Sequence, residues 1–271
     1  MTIFMENREK NRISFLSRLP DGRFLLTQER LLRRRMVRIF KEQADWLVEN
    51  IEPLFVKKNT IEGDIDDLLM QMPGKEAIAG AVLVTATAAV GKGGKTTVKK
   101  LGLVKYGISF SVKHPDAVRY LKAKHALQLS NYRGNISMTT NKKIKGIVAK
   151  GIETGESYGK VAQAIRAQTD AGVFSVARAQ LISTNEAREA YEAAKEIPIN
   201  EFLGKHPDRE VEKWWVSVKD SNVTEECMIN DSASPIDYRA VFPSGDESPP
   251  RFPGCRCSSS HIIKPSLSEG R

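Results

Sequence analysis

Three thiols fall within the last 45 residues of a 271-residue chain: Cys227, Cys255 and Cys257. Thiolates are favoured zinc ligands, and a fourth donor such as His261 or Asp231 would complete a tetrahedral set. The single residue between Cys255 and Cys257 is a shorter gap than the roughly two to four residues usual in zinc-binding pairs. An odd number of cysteines also argues against a disulfide framework. The favoured reading is therefore three buried or free thiols beside a tight turn with no resident cofactor, and zinc is the open alternative.

A second pattern, Ala89-Val90-Gly91-Lys92-Gly93-Gly94-Lys95-Thr96, satisfies the permissive form of a phosphate-binding loop. In a working loop the glycines let backbone N–H groups wrap a phosphate, the lysine neutralises it, and Thr96 would hold Mg²⁺. Such a loop follows a buried strand, whereas this one follows Ala-rich helical sequence, and no later apolar run ends in an acid to complete the metal site. It reads instead as a flexible basic turn ending a helix, with a P-loop ATPase as the least favoured function.

The third pattern is charge. Between Gly91 and Lys150 there are fourteen Lys or Arg and one acid, Asp116, while residues 201–271 carry a net −3. A segment this basic suits a polyanion, and with no recognition motif the contact would be sequence-independent binding to double-stranded DNA. Lys92, Lys95, Lys99, Lys100, Lys122, Lys124, Lys142, Lys143 and Lys145 are the candidates. His114, His125, His206 and His261 are scattered, and no serine, cysteine or carboxylate pair stands in a catalytic context, so no catalytic residue, small-molecule substrate or enzyme activity is expected.

The elements that position these groups are mostly helices. Residues 1–25 read as an N-terminal arm. Residues 26–109 read as a helical, partner-docking region. It opens with a long amphipathic helix capped by Thr27, burying Leu31, Leu32, Met36, Ile39, Phe40, Trp46, Leu47, Ile51 and Phe55 and ending near Pro53. A second helical stretch from about Asp64 breaks near Pro73-Gly74 and stops at the Gly91–Gly94 cluster. Pro115 opens a helix with a stripe of Val118, Leu121, Ala126 and Leu127. Thr139 or Thr140 caps the next helix, Ser157 the one after, and residues 175–195 form another. Beyond Pro198 the texture changes to a strand-like run at Trp214–Val218 and a proline-rich remainder. The fold class is α+β: a mainly α-helical N-terminal part with a small C-terminal, loop-rich α+β module.

Hydrophobic residues make up 41% and charged residues 28%, proportions that exclude a wholly disordered chain. The apolar run from Ala77 to Val90 falls short of the roughly 18–20 residues that span a bilayer, and the N-terminus carries charges where a secretory signal is apolar. No membrane partner is expected. The compartment is a cytoplasm or an assembly formed there.

From about residue 110 the order of segments resembles the phage Mu F-like head morphogenesis family: HPDAVRYLKAK, SMTTNKKIKGIVAKGIETGESYGKVAQAIRAQ, VARAQLISTNEAREAYEAAKE, KWWVSVKD and PPRFPGCRC. The resemblance covers residues 110–263, with helices over 110–198, a strand and loop module over 199–263, and a tail at 264–271. Members carry an Arg-Thr-Glu unit where this chain has Ser183-Thr184-Asn185, with Glu186 one place later. Trp215, Asp220, Cys227 and Cys255-Arg256-Cys257 match family positions, whereas Thr224 stands at a cysteine position and Phe252 at a histidine position. Trp215, Asp220 and Arg256 are expected to be structural. The resemblance implies a minor head protein inside the virion near the portal vertex, assembled in the host cytoplasm, with the portal protein and other head proteins as partners. It also implies action in head assembly and in genome retention or ejection. The alternative from composition alone is a cytosolic nucleic-acid-binding protein with no virion role.

Overall fold

The computed structural model describes residues 21–56, 62–130, 135–221 and 223–265. The expected arm lies largely outside these residues, as does the tail from residue 266; Gly22–Leu25, assigned to the arm, are helical, and Leu25 is buried. The elements in chain order are α1 (Gly22–Asn50), α2 (Glu52–Val56), α3 (Glu62–Gln71), α4 (Lys75–Lys100), a 3-10 turn (Leu103–Tyr106), α5 (Pro115–Leu129) and α6 (Ile136–Glu153). They continue with α7 (Tyr158–Arg166), α8 (Gln168–Ala171), α9 (Val176–Lys205), β1 (Val211–Val216), α10 (Glu225–Ser232), β2 (Ile236–Asp237) and β3 (Ser258–Ile263). The architecture is mainly helical with one small antiparallel sheet, as the sequence pattern indicates.

Two compact units divide the chain, and each is discontinuous. Of the described residues, the first takes those up to Glu29, then Thr85–Tyr120, and then those from Thr184 onward. The second takes Arg30–Val84 and Leu121–Ser183.

In the second unit, α1 buries Leu32, Met36, Ile39, Phe40 and Leu47 at three- and four-residue spacing and turns Arg34, Arg35 and Arg38 to solvent. Leu31, expected in the stripe, is 44% exposed. Thr27 is no cap: α1 begins five residues earlier, and the Thr27 hydroxyl donates to the Arg23 carbonyl at 2.9 Å. The break between α3 and α4 falls where Pro73-Gly74 placed it. Gly74 has φ +101°, and a Cβ there would press on Ile39 and Gln43, so only glycine fits. The cap of α6 is Asn135, whose Oδ1 accepts from the Met138 N–H at 2.7 Å, and not Thr139 or Thr140. Arg178 ties α9 to α6 by donating to Thr140 Oγ1 and the Ile136 carbonyl at 2.8 and 2.9 Å, and it stacks over Phe40. Burial lowers its guanidinium pKa to about 10.

Helix α5 buries Ala117, Leu121, Lys124 and Gln128, so of the expected stripe Leu121 is buried, Val118 is half-buried, and Ala126 and Leu127 are exposed, Leu127 at 39%. Apolar residue type alone mis-set the face because polar side chains occupy two of its buried places. Helix α9 runs through Pro198 to Lys205 instead of stopping there. Proline removes one backbone donor, yet Ile199, Phe202 and Leu203 continue the buried stripe beyond it.

Helix α4 does not end at its glycines. In the first unit Gly93 lies against the Tyr191 carbonyl of α9 and Gly94 against the Phe110 ring, so tightly that a Cβ at either would overlap its neighbour. The cluster is a close-approach face and the helix continues to Lys100. Its most apolar window reaches a mean hydropathy of 1.4, enough for a membrane span by composition and length, and 56% of that window is buried inside the protein.

The sheet has the order β2-β1-β3, with Lys213 opposite His261 and Trp215 opposite Ser259. Along β1, Val211, Lys213 and Trp215 are buried and their neighbours are half-buried, the alternation of a sheet with one covered face. Glu192 of α9 holds β3: its carboxylate accepts from Ser258 Oγ, Ser259 Oγ and the Ser259 N–H at 2.6, 2.6 and 3.0 Å, and from Lys195 at 2.8 Å.

Candidate functional site

Asp220 and Arg256 form two parallel hydrogen bonds, both 2.6 Å, joining the chain after β1 to the Cys255-Arg256-Cys257 turn. This fork-on-fork geometry fixes the turn's orientation as well as its position. With the Arg256 side chain turned outward to Asp220, the two flanking cysteines are buried at 3% exposure, packed with Trp215, Cys227 and Phe242 in a small core. Cys227 reaches the same point from the first turn of α10, which Thr224 caps by accepting from the Cys227 N–H at 3.4 Å.

The three Sγ atoms all lie within 4.8 Å of one another, and they are the metal-ligating group that converges among the described residues. Tetrahedral zinc places its sulfur ligands about 2.3 Å from the metal, so the spacing fits three corners of a thiolate site. Cys255 is held down at about 6, first by the hydrogen bond from Cys257 and, against burial, by the Cys257 and Arg251 backbone N–H groups. The same hydrogen bond, with burial, pushes Cys257 upward, and burial raises Cys227.

His261 does not join the cysteines. On β3 it faces Glu196, with Nε2 3.4 Å from Oε1, and packs edge-on to Tyr238. Asp231 also points elsewhere, accepting from Ser217. Thr224 and Phe252 line the small cleft beside the cluster.

The nine candidate lysines separate into distinct environments. On α4, Lys92, Lys95 and Lys99 follow one another at helical spacing on the face opposite Gly93, Gly94 and Val98. Lys95 and Lys99 are exposed, Lys92 pairs with Asp21 at 3.0 Å, and Lys100 donates to Ser260 Oγ at 2.7 Å. Burial, the largest influence, and then the Lys195 charge lower the Lys100 pKa. In the second unit Lys122, Lys142 and Lys143 are exposed, Lys145 pairs with Asp66 at 2.7 Å, and Lys124 is only 7% exposed and cannot meet a large polyanion.

The phosphate-loop pattern is overturned by its own backbone. Residues 89–96 are helix interior, where N–H groups are committed to carbonyls one turn back and cannot wrap a phosphate. Thr96, the would-be Mg²⁺ ligand, donates to Asp21 Oδ2 at 2.5 Å. Asp21 also accepts from Tyr191 at 2.8 Å, a junction of α1, α4 and α9 that sequence reading missed because its partners lie 71 to 170 residues away. Thr184, the middle residue of Ser183-Thr184-Asn185, and Glu186 just after it are buried, and Thr184 donates to Glu29 at 3.2 Å.

Residues 142–260 match the family model described as Phage Mu protein F like protein. That segment is similar to the Mu F-like family, and it includes β1, the Asp220–Arg256 pair and all three cysteines. It lies inside the 110–263 stretch marked by the sequence resemblance. No curated protein and no solved structure matches the chain.

Proposed function

We propose that the chain is a portal-associated minor head protein, acting in head assembly and in retention or ejection of the genome, and touching DNA without sequence preference. The observation that carries this is the Mu F-like domain over residues 142–260, on which the characteristic Trp215, Asp220 and Arg256 are all engaged in packing or pairing. The exposed Lys95, Lys99, Lys122, Lys142 and Lys143 supply the DNA contact. Each phosphate neutralised releases a counterion, so retention on DNA should fall steeply with salt. A filter-binding series on random-sequence duplex DNA tests it: replacing those five lysines by glutamate should abolish retention and leave the fold intact. Unchanged retention removes the DNA part of the proposal.

Cys227, Cys255 and Cys257 are also proposed to hold a structural zinc, with a fourth ligand from outside the cluster. The small core around Trp215 has few apolar residues, and a metal would stabilise it.

A further inference from the structure

Zinc bound by thiolates completes a tetrahedron, so three sulfurs leave one corner for another ligand. Among the described residues no fourth Cys, His, Asp or Glu joins the Cys227, Cys255 and Cys257 sulfurs. The nearest candidates are committed elsewhere: His261 faces Glu196, Asp231 accepts from Ser217, and both Asp220 oxygens accept from Arg256.

Position, size and charge restrict what the fourth ligand can be. Trp215 and Phe242 pack on the cysteines and carry no lone pair suited to zinc. A cleft of about 30 Å³ borders all three cysteines and neither of those two rings. One water needs about 10–15 Å³ of such space, so the cleft admits a water-sized ligand and excludes an imidazole or a side chain from a partner. Its walls include Phe252 and Thr224, the cap of α10, whose Oγ1 accepts from the Cys227 N–H at 3.4 Å and so stands one helical turn from a ligand sulfur. Three thiolates outweigh Zn²⁺ by one negative charge, and the cation on the cleft wall, Arg256, is already neutralised by Asp220. A neutral ligand is therefore favoured over an anion.

We infer that a zinc ion held by Cys227, Cys255 and Cys257 takes a water molecule in the Thr224–Phe252 cleft as its fourth ligand, in exchange with bulk solvent. The inference rests on the zinc reading above, and the two fail by different results.

The full chain, reduced and loaded with one equivalent of Zn²⁺, is read by X-ray absorption at the zinc edge. The expected shell is three sulfurs at about 2.3 Å and one oxygen at about 2.0–2.2 Å, without imidazole scattering. In the Co²⁺-loaded chain, electron–nuclear double resonance in D₂O should show the deuterons of the bound water, which a carboxylate ligand lacks. Thr224→Cys puts a sulfur on the cleft wall and should convert the shell to four sulfurs with loss of the deuteron signal, while Thr224→Ser, which keeps the cap, should leave both readouts as in wild type. If the wild-type chain takes up no metal, the zinc reading falls and this inference with it. Bound zinc with four sulfurs, with three sulfurs alone, with an imidazole, or with an oxygen that shows no exchangeable deuterons leaves the zinc reading standing and overturns the water ligand. A zinc-loaded Thr224→Cys chain that keeps the three-sulfur shell would put the metal's fourth corner outside the cleft and overturn it as well.

Discussion

Arg256 stands between two buried cysteines and faces away from both, its guanidinium locked onto Asp220 by two 2.6 Å hydrogen bonds. The pair fixes the turn from which Cys255 and Cys257 enter the small core. Arg256→Lys keeps the charge but loses the fork, and Asp220→Asn loses the charge. Each should destabilise the chain by about 2 kcal/mol in urea denaturation, the scale of a hydrogen bond to a charged group. Retention of wild-type stability by Arg256→Lys would show that the bidentate geometry is dispensable.

Co²⁺ titration of the reduced protein examines the cysteine triad. One equivalent per chain should give a thiolate-to-metal charge-transfer band, and Cys255→Ser should remove it. A hundredfold excess of metal over its dissociation constant should raise stability by about 2.7 kcal/mol. Absence of the band under reducing conditions leaves three packed thiols.

Two glycines in one helix should respond with opposite sign. Gly94→Ala drives a methyl into the Phe110 ring and should cost about 1–3 kcal/mol. Gly80→Ala, with nothing within 4 Å of its Cβ, should gain up to about 1 kcal/mol from helix propensity. Thermal melts of both variants decide it, and equal gains would mean the glycine cluster is not a packing face.

Asp21 supplies a pH dependence. Burial alone would raise its carboxyl, but hydrogen bonds from Thr96, Lys92 and Tyr191 outweigh it and hold the group below its ordinary value. A carboxyl lowered by folding contributes fully above its unfolded value of 3.8 and loses that contribution as pH falls through the lower folded value. Asp21→Asn should therefore be less stable than wild type at neutral pH, by about 1–3 kcal/mol, with the gap closing in acid. A gap that stays constant with pH contradicts this.

The helical content, the α+β class and the Pro73-Gly74 break were legible because they rest on local periodicity and on residues with restricted backbones. The family resemblance was legible from the order of short segments, although no single segment is decisive. What local sequence does not hold is which neighbour comes near. Gly91–Gly94 reads as a helix stop unless Tyr191 and Phe110 are known to press against it. The convergence of Cys227 with Cys255 and Cys257 depends on α10 packing under the later turn, while His261, nearest in sequence, faces Glu196 instead. The lysine-rich segment is uniform on paper, yet Lys124 is buried and Lys92 and Lys145 are paired.

The head-protein account is tested most directly by quantitative mass spectrometry of purified phage particles beside a DNA-free fraction enriched in portal vertices. The account predicts that this chain is present at a few copies per particle and stays with the portal fraction. Its absence from particles, with the protein abundant in the lysate, would contradict the account and leave a nucleic-acid-binding protein with no place in the virion.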